Sequence, residues 1–404
     1  MQTAIIIALY LAELPYLWLM VMVIVGALRR SELKRTGATP AVSVILPAHN
    51  EERTLPRTLA SLAAQDYAGP IEFVVIDDRS TDGTRALVES FVASDPRFRL
   101  VAITQPSRRL APKVNAVDHG IKATTGELIL ATDADCTHDP SWVAGMAAHF
   151  VDDVVMVAGY VSTSRRGAAR SLLQRFESID WFTLMLVSRS LTRFGLKYAS
   201  SANNLAYRRS AFEAVGGFGA AGRAPSGDED LLTQKLGRLP GARVVFADAP
   251  ECRVVTSGEA TAPDLVRQRR RWVSRYHHVL HYHPGFLAGI AVLGLQSVLL
   301  TLTALLCFVL PGLTPWVLGL WLAKAAIEFV GMGIGTRHWD RRDLWGLSTL
   351  WWSLMHPPFI AAAVIGSFLK PSAWHAGAEA YRTRLFQRRL RELKRRAKEG
   401  VIRP

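Results

Sequence analysis

The stretch that decides the fold is Val42-Ser43-Val44-Ile45-Leu46-Pro47-Ala48-His49-Asn50-Glu51-Glu52. A short β-branched run ends abruptly in a polar segment with a proline and an asparagine, which is how a buried strand passes into a loop. The pattern recurs downstream. Ile71–Ile76, Phe98–Ile103, Glu127–Thr132 and Val154–Tyr160 read as further strands. Leu55–Gln65, Thr84–Ala93, Lys113–Ala123 and Pro140–Phe150 read as helices between them, the second of these capped by Thr81 and Asp82. Alternation of this kind predicts an α/β fold with parallel strands and helices on both faces. In such sheets ligands bind beyond the carboxyl ends of the strands, so the loops that follow each strand are where chemistry is expected.

Apolar residues outside this region are concentrated in four runs: Ile5–Leu28, Phe286–Leu310, Leu313–Gly335 and Leu344–Leu369. Each is long enough to cross a hydrocarbon core of about 30 Å as a helix. The first has no basic n-region and no small-x-small cleavage site, so it reads as an uncleaved anchor. This explains how 404 residues with a formal charge of +14 can have a positive mean hydropathy of +0.15. The basic residues flank the apolar runs and fill the end of the chain. That placement favours anionic lipid over nucleic acid as their partner. The three cysteines, Cys136, Cys252 and Cys307, have no paired spacing, which argues against a disulfide framework or zinc site and fits a reducing compartment.

The organisation expected is a transmembrane anchor over 1–28, a catalytic domain over 40–283, a membrane region over 286–369 and a basic cytoplasmic tail over 370–404. Arg29, Arg30, Lys34 and Arg35 follow the first run and place the domain in the cytoplasm by the positive-inside rule. Lys324 and Glu328 are i,i+4 neighbours inside the third run and are expected to pair away from lipid. His356-Pro357-Pro358 interrupts the fourth. Proline disfavours a continuous helix, so a re-entrant or interfacial hairpin broken at Pro357-Pro358 is predicted, which would return the tail to the cytoplasm; the alternative is a plain fourth span with an external tail.

Acidic residues mark three strand or helix ends. In Asp133-Ala134-Asp135, two carboxylates one residue apart point the same way on an extended segment. They could share a hard cation, completed by phosphate oxygens and water, although an ordinary acidic turn looks the same. Asp77-Asp78 ends another strand and could accept hydrogens from a nucleotide or cap the next helix. Lys113 and Asn115 could reach phosphate or sugar. Ser226-Gly227-Asp228-Glu229-Asp230-Leu231 opens a helix, where acids meet the dipole favourably or where one of them acts as a general base. In Gln268-Arg269-Arg270-Arg271-Trp272, positions 268, 271 and 272 share one helical face carrying an amide, a phosphate-matching fork and an aromatic platform. Arg269 and Arg270 are then expected to face lipid or solvent.

In this order, and each at its strand or helix end, these pieces resemble glycosyltransferase family 2, the inverting GT-A (Rossmann-like) enzymes, over roughly Val42 to Trp272. Ser201–Arg209 and Gly216-Gly217-Phe218 also look like this family, and Gln-x-x-Arg-Trp points to its membrane branch. The resemblance implies that Pro47, Ala48, His49, Asn50, Glu51, Asp77 and Asp78 cradle the nucleotide, with Lys113 and Asp133 on the donor. It implies that Asp133 and Asp135 hold Mg²⁺ or Mn²⁺. One of Asp228, Glu229 and Asp230 would be the base. Gln268, Arg271 and Trp272 would hold diphosphate and acceptor. His49 stands where many relatives have Tyr, and Asp228-Glu229-Asp230 replaces a Glu-Asp pair, leaving the choice of base open between alignments. The function implied is transfer from a nucleotide sugar, a UDP-sugar, to a lipid or lipid-linked acceptor at the plasma membrane. A processive polysaccharide synthase is the alternative. A glycoside hydrolase would need neither the Asp-x-Asp nor the Gln-x-x-Arg-Trp face.

Overall fold

A computed structural model describes residues 2–29, 33–107, 109–169, 171–197, 201–219, 222, 228–273 and 282–369. The chain begins with α1 (Gln2–Leu28). The α/β region then runs β1 (Val42–Ala48), α2 (Leu55–Ala63), β2 (Ile71–Asp78), α3 (Thr84–Ser94), β3 (Phe98–Ile103), α4 (Pro112–Lys122), β4 (Leu128–Ala131), β5 (Thr137–His138), α5 (Trp142–Ala147), β6 (Val154–Gly159) and β7 (Val161–Ser162). It continues with α6 (Leu172–Arg193), β8 (Leu205–Arg208), α7 (Arg209–Ala214), α8 (Asp228–Leu236), β9 (Arg243–Ala247), β10 (Val254–Val255) and α9 (Ala262–Val273). Three long helices follow: α10 (Pro284–Leu306), α11 (Thr314–Gly335) and α12 (Leu347–Leu369).

Seven strands form one sheet in the order β3-β2-β1-β4-β8-β6-β9, and β5-β10-β7 form a small second one. The pairings β1 with β2 and β4, β2 with β3, and β6 with β9 are parallel. The five strands expected from the sequence all run the same way, and β8, which is not among them, lies antiparallel between β4 and β6. The chain reaches β8 from the long helix α6 rather than by a short crossover, so no right-handed βαβ connection constrains its direction.

Residues alternate across the sheet with period two. Val44, Leu46, Phe73, Val75, Leu128 and Leu130 face a core closed by Leu55, Leu59 and Leu62 of α2 and Trp142, Val143 and Met146 of α5. Ile45, Val74, Ile76 and Ile129 face the other core, closed by Val114, Val117 and Ile121 of α4 and Ile179, Phe182 and Leu186 of α6. That second core does not stop at α6. It runs on through Tyr16, Met20 and Val23 of α1, Met332 of α11 and Trp339 in the turn after it. Trp339 stacks on Tyr160 at 4.2 Å and meets Phe182 edge-on at 5.3 Å. α6 is started by a capping box, Ser171 with Gln174, and carries apolar residues to both the sheet and the long helices.

α1, α10, α11 and α12 are each long and apolar enough to cross a membrane. Outward residues of α1 and α11, such as Leu11, Leu14, Leu318 and Leu322, are exposed and apolar, as a lipid-facing surface requires. Lys324 and Glu328 pair as expected, at 2.7 Å and buried inside the bundle. The Tyr16 hydroxyl of α1 donates to Glu328 from the other side.

The expected break at Pro357-Pro358 does not occur: α12 is one continuous helix. Pro357 has no N–H for the carbonyl of Ser353, four residues back. Lys324 Nζ donates to that carbonyl at 3.0 Å instead, so the hydrogen bond missing from the helix is replaced from the neighbouring one. Both ends of α12 touch helices of the α/β region. Arg175 donates to Ser348 Oγ at 3.3 Å near the start. Near the end, Gly366 leaves room for Arg270, whose Cδ lies 2.9 Å from where a Cβ would sit. The basic tail lies outside the described residues.

Candidate active site

The loops after β1, β2 and β4 converge as expected at the carboxyl edge of the sheet. After β1, Asn50 adopts the left-handed conformation with φ 57°, which asparagine tolerates. Its side-chain carbonyl accepts from Thr81 N–H at 2.8 Å, and its own N–H donates to Ser80 Oγ at 3.0 Å. These bonds lock the first loop to the second. His49 Nδ1 lies 2.6 Å from the Asp78 carbonyl, a second tie between the same loops. Asp77 accepts from Ser80 N–H at 3.0 Å, and Asp82 accepts from Thr84 N–H at 3.0 Å at the start of α3.

A cavity of about 1420 Å³ opens beside these loops. Pro47, Ala48, His49, Glu51, Asp78, Lys113, Asp133 and Asp135 line it. So do Glu229, Asp230, Gln268, Arg271 and Trp272. The sequence-predicted donor, base and acceptor groups are thus brought together, with three exceptions. Asn50, Asp77 and Asn115 are not in the lining: the side chains of Asn50 and Asp77 serve the loops, and Asn115 is buried on α4. Ser226 and Gly227 lie outside the described residues, as does the side chain of Asp228. Asp230 is buried, and Glu229 is half-buried beside it on α8.

The carboxylates after β4 are held differently. Asp133 pairs with Lys113 Nζ at 2.6 Å. Asp135 accepts from Thr256 Oγ1 at 2.8 Å and from Ser257 N–H at 3.2 Å, both from the segment after β10. Burial, reinforced by the neighbouring charge of Asp133, holds the Asp135 carboxyl above its ordinary range. Glu51 is likewise raised by burial and by Asp135 and Asp133. Three carboxylates therefore crowd one end of the cavity, with an excess of negative charge that a cation would relieve.

On α9, Gln268 Nε2 donates to Glu259 Oε1 at 2.8 Å, and Trp272 meets Trp181 of α6 edge-on at 5.2 Å. The expectation that Arg269 and Arg270 face lipid or solvent is corrected. Arg269 is 3% exposed and paired with Asp180 of α6, its Nε donating at 2.7 Å. Arg270 lies against Gly366 of α12. Burial alone would raise Asp180, but Arg269 and His356 bring it down to about 2. Sequence reading missed Asp180, Thr256, Ser257, Glu259 and His356, all of which line the cavity. The signal available for Asp180 was a pair of acids one turn apart, Glu177 and Asp180, beside Phe176, Trp181 and Phe182 on one helix. For Thr256 and Ser257 there was none, because β10 has only two residues.

Beyond the carboxylates the cavity becomes apolar. Its far wall is made by Trp18 and Met22 of α1, Leu184 of α6, Phe286 and Ile290 of α10, and Val364 of α12.

Comparison with known proteins accords with this geometry. The family model for glycosyl transferase family 2 matches residues 43–216. An N-acetylglucosaminyltransferase of Azorhizobium caulinodans is 36% identical over 178 residues, which is 43% of this chain and 43% of that protein. One from Bradyrhizobium elkanii is 33% identical over 141 residues, 34% of this chain and 75% of that protein. The chain spans less than half the length of the first of these relatives. Among solved structures, the mannosyltransferase PcManGT from Pyrobaculum calidifontis, in complex with GDP-Man and Mn2+, superposes with a TM-score of 0.60. It is 18% identical and covers 92% of this chain and 100% of that one, which establishes the shared fold. With the family's region matched in sequence, its fold matched over nearly the whole chain and its acidic strand ends gathered on one cavity, this protein belongs to glycosyl transferase family 2.

Proposed function

We propose that this chain is a membrane-bound, inverting glycosyltransferase that moves a sugar from a nucleotide-sugar donor to a lipid or lipid-linked acceptor. The observation that carries the reading is the single cavity with acidic groups at one end and apolar walls from α1, α10 and α12 at the other. With a divalent cation between carboxylates and phosphates, a nucleotide diphosphate would suit the first end, and an acyl or isoprenoid chain suits the second. The names of the relatives make N-acetylglucosamine the first sugar to test, and the donor proposed for it is a UDP-sugar.

The donor's nucleotide would lie against Pro47, Ala48, His49 and Asp78, and its diphosphate near Lys113 and Arg271. One of Asp228, Glu229 and Asp230 takes the acceptor hydroxyl proton. The freed oxygen attacks the anomeric carbon as the bond to the diphosphate oxygen breaks, and the nucleotide diphosphate departs with the electron pair. Among the described residues no three His, Cys, Asp or Glu side chains are grouped to hold a metal. Asp133 and Asp135 fit Mg²⁺ or Mn²⁺ only as a two-carboxylate site completed by diphosphate oxygens and water, and their excess negative charge favours such an ion. Bound there, a divalent ion supplies Lewis-acid stabilisation to the leaving diphosphate.

The domain is proposed to face the cytoplasm of a plasma (inner) membrane. The contacts of α12 with the α/β region at both its ends support a tail on that same side. The deciding experiment incubates purified membranes with a panel of labelled nucleotide sugars and separates lipid-soluble from polymeric product. Label in the lipid fraction is expected. Label in polymer alone would transfer the assignment to a polysaccharide synthase.

A further inference from the structure

The acceptor face of α9 is held by a closed ring of hydrogen bonds that begins and ends on α6. Both carboxylate oxygens of Glu177 accept from Glu259 N–H, at 3.1 and 3.0 Å. Glu259 accepts from Gln268 Nε2. Gln268 Oε1 accepts from the Arg269 guanidinium. Arg269 closes the ring on Asp180, one turn along α6 from Glu177. The Arg269 guanidinium also lies 4.0 Å from the Trp272 ring centroid, three residues on, so its plane and that of the indole are set together. Asp180 offers Oδ2 to Arg269, and its Oδ1 lies 3.4 Å from His356 Nε2 of α12. His356 Nδ1 is buried and has no hydrogen-bond partner among the described residues. Asp180, Arg269 and His356 line the same cavity as Asp135 and Asp230.

This is more than an ion pair needs. An arginine side chain can contact a carboxylate, an amide oxygen and an aromatic face at once because its donors are fixed in a plane, and a lysine cannot. The two groups that Arg269 orients, the Gln268 amide and the Trp272 ring, are both on the acceptor side of the cavity. The carboxylate that fixes Arg269 is shared with α12, a wall of the apolar half.

We propose that Asp180 and Arg269 are positioning residues for the acceptor: Asp180 fixes the Arg269 fork, which sets the Trp272 plane and the Gln268 amide, and His356 ties that setting to the place of α12. The inference rests on the acceptor occupying this end of the cavity, as under the proposed function. The groups proposed to hold the nucleotide, Pro47, Ala48, His49 and Asp78, are not members of the ring.

The test uses the full chain in nanodiscs, labelled UDP-N-acetylglucosamine, and vesicles of the source membrane's own lipid extract as acceptor. Two rates are read: transfer to lipid, and donor hydrolysis by water without acceptor. Asp180→Asn keeps the shape and removes the charge; Arg269→Lys keeps the charge and removes the fork. Each is expected to lower kcat/KM for the lipid by about 10- to 100-fold, the scale of a misplacement near 1 Å, with donor KM and hydrolysis within about twofold. The two together should be no worse than either alone, because they act as one unit. Should a single variant fold poorly, Asp180→Asn with Arg269→Met leaves no unpaired buried charge and tests the same split. A folded variant with unchanged acceptor kcat/KM, or with transfer and hydrolysis falling in parallel, overturns the proposal. If the wild-type chain hydrolyses donor but labels no lipid, the lipid reading fails instead, and the same split is then read with N-acetylglucosamine as soluble acceptor.

Discussion

Replacing Lys324 by methionine removes one amine and breaks three contacts at once. Its Nζ serves Glu328 Oε2 at 2.7 Å, the Ser353 carbonyl at 3.0 Å and Ser353 Oγ at 3.3 Å. Breaking a buried ion pair by removing one partner costs about 3–5 kcal/mol. A buried carbonyl left unsatisfied adds about 1–3 kcal/mol, and neighbouring losses do not sum. A total near 4 kcal/mol, set against an unfolding entropy of about 2 cal/mol/K per residue for a chain of this length, lowers Tm by about 5 °C. The diagnostic is a second change. Pro357→Ala gives residue 357 an N–H for the Ser353 carbonyl. In the wild-type background that carbonyl is already served, so the gain is small; in the Lys324→Met background it should recover about 1–3 kcal/mol. Thermal unfolding in detergent, followed by tryptophan fluorescence, reads all four corners of the cycle. Equal shifts from Pro357→Ala in both backgrounds would refute the idea that Lys324 substitutes for the missing helical hydrogen bond.

Asp135→Ala is expected to abolish transfer while the protein stays folded, and excess EDTA to do the same; full activity in EDTA would remove the metal from the reading. Among amide variants of Asp228, Glu229 and Asp230, one should lower kcat by about 10²- to 10⁴-fold with donor Kd intact. Near-wild-type rates from all three would place the base elsewhere. Burial raises the Glu177 carboxyl from its ordinary 4.5 to about 7. The folded state therefore holds a proton that the unfolded chain has lost, and stability falls as pH rises through that window, by about 3 kcal/mol. Glu177→Gln should flatten the decline in Tm between pH 5 and pH 8, and an unchanged slope would show that Glu177 does not cause it. A cysteine placed in the tail should stay closed to impermeant reagent added outside intact cells, and labelling there would put the tail on the far side.

What was legible in the sequence is what local pattern controls. The first three strands and the helices between them lie within a residue or two of where alternation and turn residues put them, and the loops after β1, β2 and β4 do converge. Several of the failures share one cause, a partner distant in sequence. Arg269 is buried because Asp180, 89 positions earlier, is there to receive it. α12 runs straight through two prolines because an amine arrives from α11. β8 is antiparallel because of where α6 delivers the chain. Asn50 and Asp77 read as ligand groups, yet side chains of this kind bond nearby backbone readily, and here they do.

The slot filled by Trp339 bears on how such a protein can change over evolutionary time. Its indole sits among Tyr160, Phe182 and Phe246, so the turn between α11 and α12 is part of the interior of the sheet domain. A gene fusion that exchanged the hydrophobic segments for those of another family member would have to bring a matching wedge, or repack the face of the sheet. The sheet domain and the long apolar helices are therefore inherited together, and substitutions along the cavity wall are a more accessible route to change than recombination of whole segments.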